Sequence, residues 1–547
     1  MTNRRFVQIF QRDESFMTRP HKTIFFLCAT CLSFYFSYIL FLADSPVFSG
    51  TVETVYCFFW FVLYAGMIFT GLCFGCKALL RRRKHRTEAA RKREKGSLSF
   101  WGWSMGLSLF WLGICFAAAY PGGMTYDIYN QWMQFQTGQY NSWHPVLHTL
   151  LLGMGARVTG SYSGAVVLQL LIFSLAMAYL METLRSWGFS KFFLLCLQLF
   201  ILTTPLVDGV LMSAGKDSAM TVGVMVLCAQ MIHLYFSRGE WMEKPWNMAA
   251  FGIALVLTTL VRHNGFFFTL PLFLCAFCTC AKQRVQLGLA AGAAVLLFFL
   301  VTGGLYGALD MVNPHNTLEE SIGVPMTILL DVRAEQPEGL EEETHDFLRA
   351  LLDDESFAEK YVKNTYNSIK FEWPREYINQ EEPEKLLRMF LATVGRNPRL
   401  AFQSFNGLTD LVWDVTGKNE GVDAVRHSGD LPEYAYGNTR LNQLGKKMQM
   451  LLRVPQNFFF LKWLSRNLGV QMAILLLCGL WAIYRNGVRA LVLCLPVLCY
   501  HMGTMLLLCG NDVRFFQFSM VICLPSALAL WGGNQGDTMK KMQKKDG

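Results

Sequence analysis

The 547-residue chain is 53% hydrophobic and only 16% charged, with a mean hydropathy of +0.29. This balance excludes disorder, which needs low hydrophobicity and high charge, and it excludes a single small soluble domain. The net charge of +9 does not indicate nucleic-acid binding, because the basic residues stand beside apolar segments.

Those segments come in blocks of about 20 residues, enough to cross about 30 Å of hydrocarbon as helices. In chain order they predict spans at 23–43, 56–79, 99–119, 162–182, 191–207, 218–236, 247–262, 265–280, 286–308, 467–484, 488–509 and 514–532, with an ambiguous patch at 144–160. The expected fold class is an all-α polytopic membrane protein with about 12 transmembrane helices. Three regions follow: an N-terminal membrane domain over 1–308, a hydrophilic segment over 309–465, and C-terminal membrane helices with a tail over 466–547.

Orientation follows from Lys and Arg near the spans. Arg4, Arg5, Arg12, Arg19 and Lys22 precede the first span, and nine basic residues crowd Arg81–Lys95. Arg185, Lys191, Arg238, Lys244, Lys282, Arg284, Arg485, Arg489 and the Lys540–Lys545 tail fall on the same side of a twelve-span chain. The expectation is a bacterial cytoplasmic (inner) membrane protein with both termini cytoplasmic. The first apolar run reads as an uncleaved anchor, being too long for a signal-peptide core.

The segment 309–465 then lies outside the cell. It carries 25 acidic and 17 basic residues, and helical periodicity near 343–363, 383–394 and 398–413 predicts a mostly helical domain. It contains none of the sixteen Cys and so no disulfide; Cys73/Cys76 and Cys275/Cys278 sit inside spans and read as small buried hydrophobes. The chain has no Asn-x-Ser/Thr acceptor.

Charged groups inside a membrane cost about 2.5–3.5 kcal/mol each on insertion scales, so the few present need a reason. They cluster at Asp127; His144 and His148; Lys216 and Asp217; Arg262 and His263 with Asn264; and Asp512 with Arg514. All five fall at the outer ends of spans or in short outer loops. The first outer loop, 120–143, holds seven aromatics in 24 residues, and Tyr126, Tyr129 and Trp132 flank Asp127. Aromatic faces beside a carboxylate suit a sugar ring; an interfacial aromatic belt is the plainer reading. His144 and His148, with Pro145 in a helical first turn, would share a face able to hold a divalent metal or contact a phosphate. Lys216, Arg262 and Arg514 would make an anion site suited to a lipid phosphate at the bilayer surface. Gly215-Lys216-Asp217 lacks the spacing of a nucleotide-binding P-loop.

Asp127 in TYDIYNQW, SWHPVLHT over 142–149, the GKD element, RHNG over 262–265 and NPHNTLEESIGVP over 313–325 together resemble the GT-C superfamily of membrane glycosyltransferases, in a poorly characterised bacterial branch of large multi-span proteins. The resemblance implies a polyprenyl-phosphate-linked sugar as donor, a glycan, lipid or protein of the envelope as acceptor, and transfer on the outer face. It implies that Asp127 acts as base or metal ligand (Mg or Mn), and that basic residues hold the lipid phosphate. The contacts expected to substrate are His144, His148, Lys216, Asp217, Arg262, His263, Asp512, Arg514, Tyr126 and Trp132. The rival expectation is a transporter or flippase of lipid-linked glycans, with the same anion site and no chemistry. Transporters, however, place their charges near the midplane in repeated halves.

Overall fold

The computed structural model describes residues 19–84, 94–312, 318–370, 372, 378, 382–416, 439–452 and 458–532. The N-terminal basic cluster before Arg19, residues 85–93 of the basic loop, 313–317 of the NPHNT stretch and the Lys-rich tail lie outside the described residues. Among the described residues every regular element is helical, and β-pairing is confined to isolated bridges. This is the expected arrangement in lipid, where each backbone N–H and C=O must be satisfied within its own segment.

Nine helices are long and apolar enough to cross a membrane among the described residues, rather than twelve. They are α1 (His21–Leu42), α2 (Thr51–Leu80), α3 (Leu98–Ala119), α6 (Tyr162–Ser186), α9 (Lys216–Ser237), α12 (Ala281–Ala308), α20 (Leu468–Asn486), α21 (Val488–Met505) and α22 (Val513–Gly532). The other three expected spans are present as helices of different form. The run 191–207 becomes a broken pair, α7 (Lys191–Leu202) and α8 (Pro205–Leu211), bent by 66°. Pro205 cannot continue α7, and the carbonyl freed at Leu202 accepts from the Trp111 indole at 2.8 Å. The runs 247–262 and 265–280 are the short α10 (Pro245–Leu260) and α11 (His263–Thr279), separated by an extended Arg262. The ambiguous patch folds as α5 (Val146–Thr159), and the aromatic loop contains α4 (Tyr126–Thr137).

The hydrophilic segment supplies α13 (Gly323–Glu335), α14 (Glu342–Leu351), α15 (Asp354–Lys360), α16 (Pro383–Arg396), α17 (Pro398–Trp413), α18 (Arg440–Leu452) and α19 (Phe459–Arg466). The single helix expected over 343–363 is two, because Asp353 caps a new start by accepting from Ser356 N at 2.9 Å. Met326, Leu329, Leu330, Phe347, Leu348, Leu386, Met389 and Leu400 form a second core, which also takes in Cys509 from the α21–α22 connection. The principal core runs through the membrane helices and includes Ala401, Leu408, Leu411 and Val412 of α17. Thus α17 belongs to both cores, and Asn406 on it meets the Tyr38 hydroxyl and donates to Ala43 O at 3.2 Å.

Two faces of the bundle are distinguishable. On one, Arg185 at the end of α6 pairs with Glu94 at 2.9 Å just before α3, Phe25 of α1 packs on Tyr484 of α20 at 4.9 Å, and Arg485 donates to Trp531 O at 3.2 Å. The opposite face carries the connections at 120–125, 212–215, 261–263 and 506–512, and the helices of the hydrophilic segment. All Cys in the chain are free thiols.

Candidate functional site

Asp127 occupies the first turn of α4, where the helix dipole favours a carboxylate, and Thr125 is the N-cap. The approach to α4 is tightly held. Gly122 adopts φ +120°, and a Cβ there would lie 2.7 Å from Val166 Cγ2. Gly123 N donates to Met212 O at 2.9 Å. The buried Tyr162 hydroxyl ties the two connections together, donating to Gly123 O at 2.7 Å and accepting from Ala214 N at 3.0 Å. Gln169 adds bonds to the carbonyls of Leu211 and Ser213 at 3.1 and 2.8 Å. Asp127 and the Gly215-Lys216-Asp217 start of α9 are therefore fixed against each other by backbone contacts.

Lys216 Nζ lies 3.1 Å from Asp127 Oδ2 and donates to His144 Nδ1 at 3.0 Å. Arg514 reaches the same Asp127 oxygen at 3.9 Å and pairs with Asp512 at 2.6 Å. Asp512 also accepts from Arg514 N at 3.0 Å, which aims the arginine. The neighbouring Asn511 donates to Asp410 of α17 at 3.2 Å, so the hydrophilic helices brace this connection. Asp217 pairs with Arg262, and the Arg262 guanidinium lies over the Phe515 ring at 4.9 Å.

The structure thus brings Asp127, His144, Lys216, Asp512 and Arg514 into one network drawn from four separate stretches of chain. The Asp217–Arg262 pair adjoins it through the Lys216–Asp217 peptide. Burial opposes ionisation of Asp127, but the charges of Lys216 and Arg514, with help from His144, outweigh it and hold the carboxyl well below the usual range. Its side chain is 35% exposed, so solvent screens part of this effect. Burial and the adjacent Lys216 ammonium push His144 down to about 3. His144 is therefore neutral near pH 7, consistent with its Nδ1 accepting from Lys216.

Four expectations need correction. First, Pro145 is the N-cap of α5 rather than a residue of its first turn, with ψ 114°. His144 thus precedes the helix and does not share a face with His148. His148 turns to Gln131 Oε1 at 3.1 Å, and Gln131 donates onward to Thr149 at 3.0 Å. Second, among the described residues no group of three or more His, Cys, Asp or Glu side chains is placed to hold a metal. The Lys216 ammonium stands between Asp127 and His144, where a divalent cation would have to lie, so this donor set does not fit Mg or Mn. Third, Arg262 is 5% exposed and committed to Asp217, so it is not an open anion ligand. Fourth, Trp132 packs edge-on against Tyr162 at 5.9 Å, which makes it part of the scaffold, whereas Tyr126 is 62% exposed beside Asp127. His263 is exposed, and hydrogen-bonds the backbone at Ser142 and Trp143.

Tyr162, Gln169 and Gln131 hold the site, and the charge pattern alone did not point to them. The signal was weak: each is a polar residue in a long apolar helix or an aromatic loop, where an unsatisfied group is costly.

Residues 134–545 match the DUF6020 family, a family of unknown function, and the chain belongs to it. The match includes Lys216, Arg262 and Arg514 and begins just after Asp127. No curated protein and no solved structure matches the chain.

Proposed function

We propose that this protein is a membrane glycosyltransferase that moves a sugar from a polyprenyl-phosphate carrier to an envelope acceptor on the outer face of the membrane, through a twelve-segment GT-C-like helical domain. One observation carries the reading: a carboxylate meets two cations and a buried neutral His at the ends of apolar helices, all on one face. Membrane proteins keep such groups where they act.

The geometry supports a specific division of labour. The lipid phosphate binds Lys216 and Arg514, the two cations already pointed at Asp127. Once the phosphate shares their charge, less of it holds the Asp127 proton affinity down. Asp127 then accepts the proton of the acceptor hydroxyl as that oxygen attacks the anomeric carbon, and the carrier phosphate leaves with the electron pair of its C–O bond. Lys216 and Arg514 stabilise the departing phosphate as preorganised charges. Arg262 acts one step back: it neutralises Asp217 and so fixes the start of α9 that presents Lys216. No metal takes part in this scheme.

The test is transfer from a purified polyprenyl-phosphate sugar to acceptor in liposomes. Asp127→Asn should lower transfer by roughly 10²–10⁴-fold, as loss of a general base does. Full transfer by a well-folded Asp127→Asn protein would remove Asp127 from the mechanism. Lipid movement between leaflets with no glycosidic bond formed, abolished in Arg514→Ala, would make the protein a flippase.

A further inference from the structure

The helix α18 belongs by sequence to the hydrophilic segment, yet it packs on a membrane-spanning helix. Asn442 donates to the carbonyls of Ala117, Ala118 and Tyr120 at 3.3, 3.3 and 3.0 Å, closing the C-terminal end of α3. Gly445 lies so close that a Cβ would stand 2.4 Å from Ala118 N. Asn442, Gly445 and the half-buried Gln449 therefore form the α3-facing stripe.

At about 100° per residue, the next stripe around the helix is Leu441, Leu444, Met448 and Leu451. All four are exposed, Leu444 at 57% and Leu451 at 73%. This apolar face adjoins the α3-facing stripe instead of standing opposite it, so it continues the side of α3, where Phe110 and Tyr120 are also exposed. The remaining third of the helix carries Arg440, Gln443, Lys446, Lys447 and the exposed Met450, and α18 contains no acidic residue. One side meets protein, one is apolar and one is basic, which is the division expected of a helix lying in a membrane interface. A second exposed apolar run, Phe458, Phe459 and Phe460, leads through α19 to the start of α20 on the same face of the bundle.

We infer that α18 is embedded in the lipid leaflet that surrounds the Asp127 site, with Leu441, Leu444, Met448 and Leu451 among acyl chains and Arg440, Lys446 and Lys447 at anionic headgroups. The occupant of the free apolar face is lipid because that face is continuous with a spanning helix. Its basic edge matches the phosphate layer. The inference stands whether or not the protein transfers sugars. It also sets the depth of the site: Asn442 holds the carbonyl of Tyr120, a few residues before Asp127, at the level of an interfacial helix.

The experiment places a nitroxide on a genetically encoded azide residue at Leu444, Leu451, Gln443 or Lys447 in the full chain, leaving the native cysteines untouched. The protein is reconstituted in vesicles of phosphatidylethanolamine and phosphatidylglycerol. Labels at 444 and 451 should relax faster with oxygen than with an aqueous nickel chelate, and labels at 443 and 447 the reverse. Equal nickel access at all four sites would put α18 in water and overturn the proposal. Protection of 444 and 451 from both reagents would overturn it in favour of a second copy of the chain. Leu444→Gln guards against a label-induced artefact: flotation with the vesicles persists through the apolar membrane helices, while oxygen contact at 451 should fall.

Discussion

At single residues the structure separates groups that act from groups that hold. Arg262 and Asp217 are both nearly fully buried and paired, so removing one leaves an uncompensated charge. Arg262→Ala should lose roughly 3–5 kcal/mol of stability, whereas Arg262→Ala with Asp217→Ala should recover part of it. Thermal unfolding in detergent decides this. A double variant no more stable than Arg262→Ala alone would show that the pair is not the reason for burial. The acid behaviour of His144 is equally specific. Its ring is faced by Lys216, Asp127, His263 and His148, and its folded pKa of about 3 lies below its ordinary 6.5. Between those values the unfolded chain binds the extra proton, so stability falls as pH falls through that window. His144→Gln should flatten the decline in Tm from pH 6.5 downward. Asp127 adds its own loss only below the ordinary 3.8, because its folded pKa is lowered too. An unchanged slope in His144→Gln would assign the acid sensitivity elsewhere.

Among the helices, the decisive feature is how two connections are pinned by a side chain from a third element. Tyr162→Phe removes both hydroxyl bonds and leaves Ala214 N and Gly123 O buried without that partner. A cost of about 1–3 kcal/mol is expected, with loosened register between Asp127 and Lys216. Anion binding measured with inorganic phosphate should weaken in Tyr162→Phe more than stability alone explains; equal phosphate affinity would show that Tyr162 serves folding only. Most helices were legible because their apolar runs are long. The helix limits that mattered most were not. The break after Leu202 depends on a Trp111 bond from another helix, and the extended Arg262 depends on the buried Asp217 that accepts its charge. Neither dependence is local, so periodicity cannot reveal it. Likewise Pro145 is compatible with either an N-cap or a first turn, and the sequence pattern does not distinguish them.

For the whole molecule, the charged residues named by sequence do converge, since Asp127, Lys216 and Arg514 share one network. Their alternation along the chain carried that information: groups at every second span end must share a face. What stayed hidden was which cations face Asp127 and which is paired with a buried neighbour, because that depends on packing around Phe515 and Asp217. The two faces also fix a labelling pattern. Glu338→Cys, next to α13, and Lys95→Cys, just before α3, lie on opposite faces of the bundle. The basic-residue bias predicts that Lys95 faces the cytoplasm. An impermeant maleimide added to intact cells should modify Glu338→Cys and spare Lys95→Cys, and the reverse pattern would invert the orientation.

The wiring of Arg514 has a consequence for how the protein is made. Ribosomes deliver the chain from its N-terminus at about 5–20 residues per second. Asp127 and Lys216 can therefore meet tens of seconds before Arg514 leaves the exit tunnel. Asn511, three residues earlier, then meets Asp410 on α17 and braces the connection that carries Arg514. Until that moment the nascent chain holds a carboxylate with a single cation. The Asp127–Lys216–Arg514 network is thus completed only late in synthesis, and a stop codon placed after α21 should yield a membrane-inserted protein with no competent anion site.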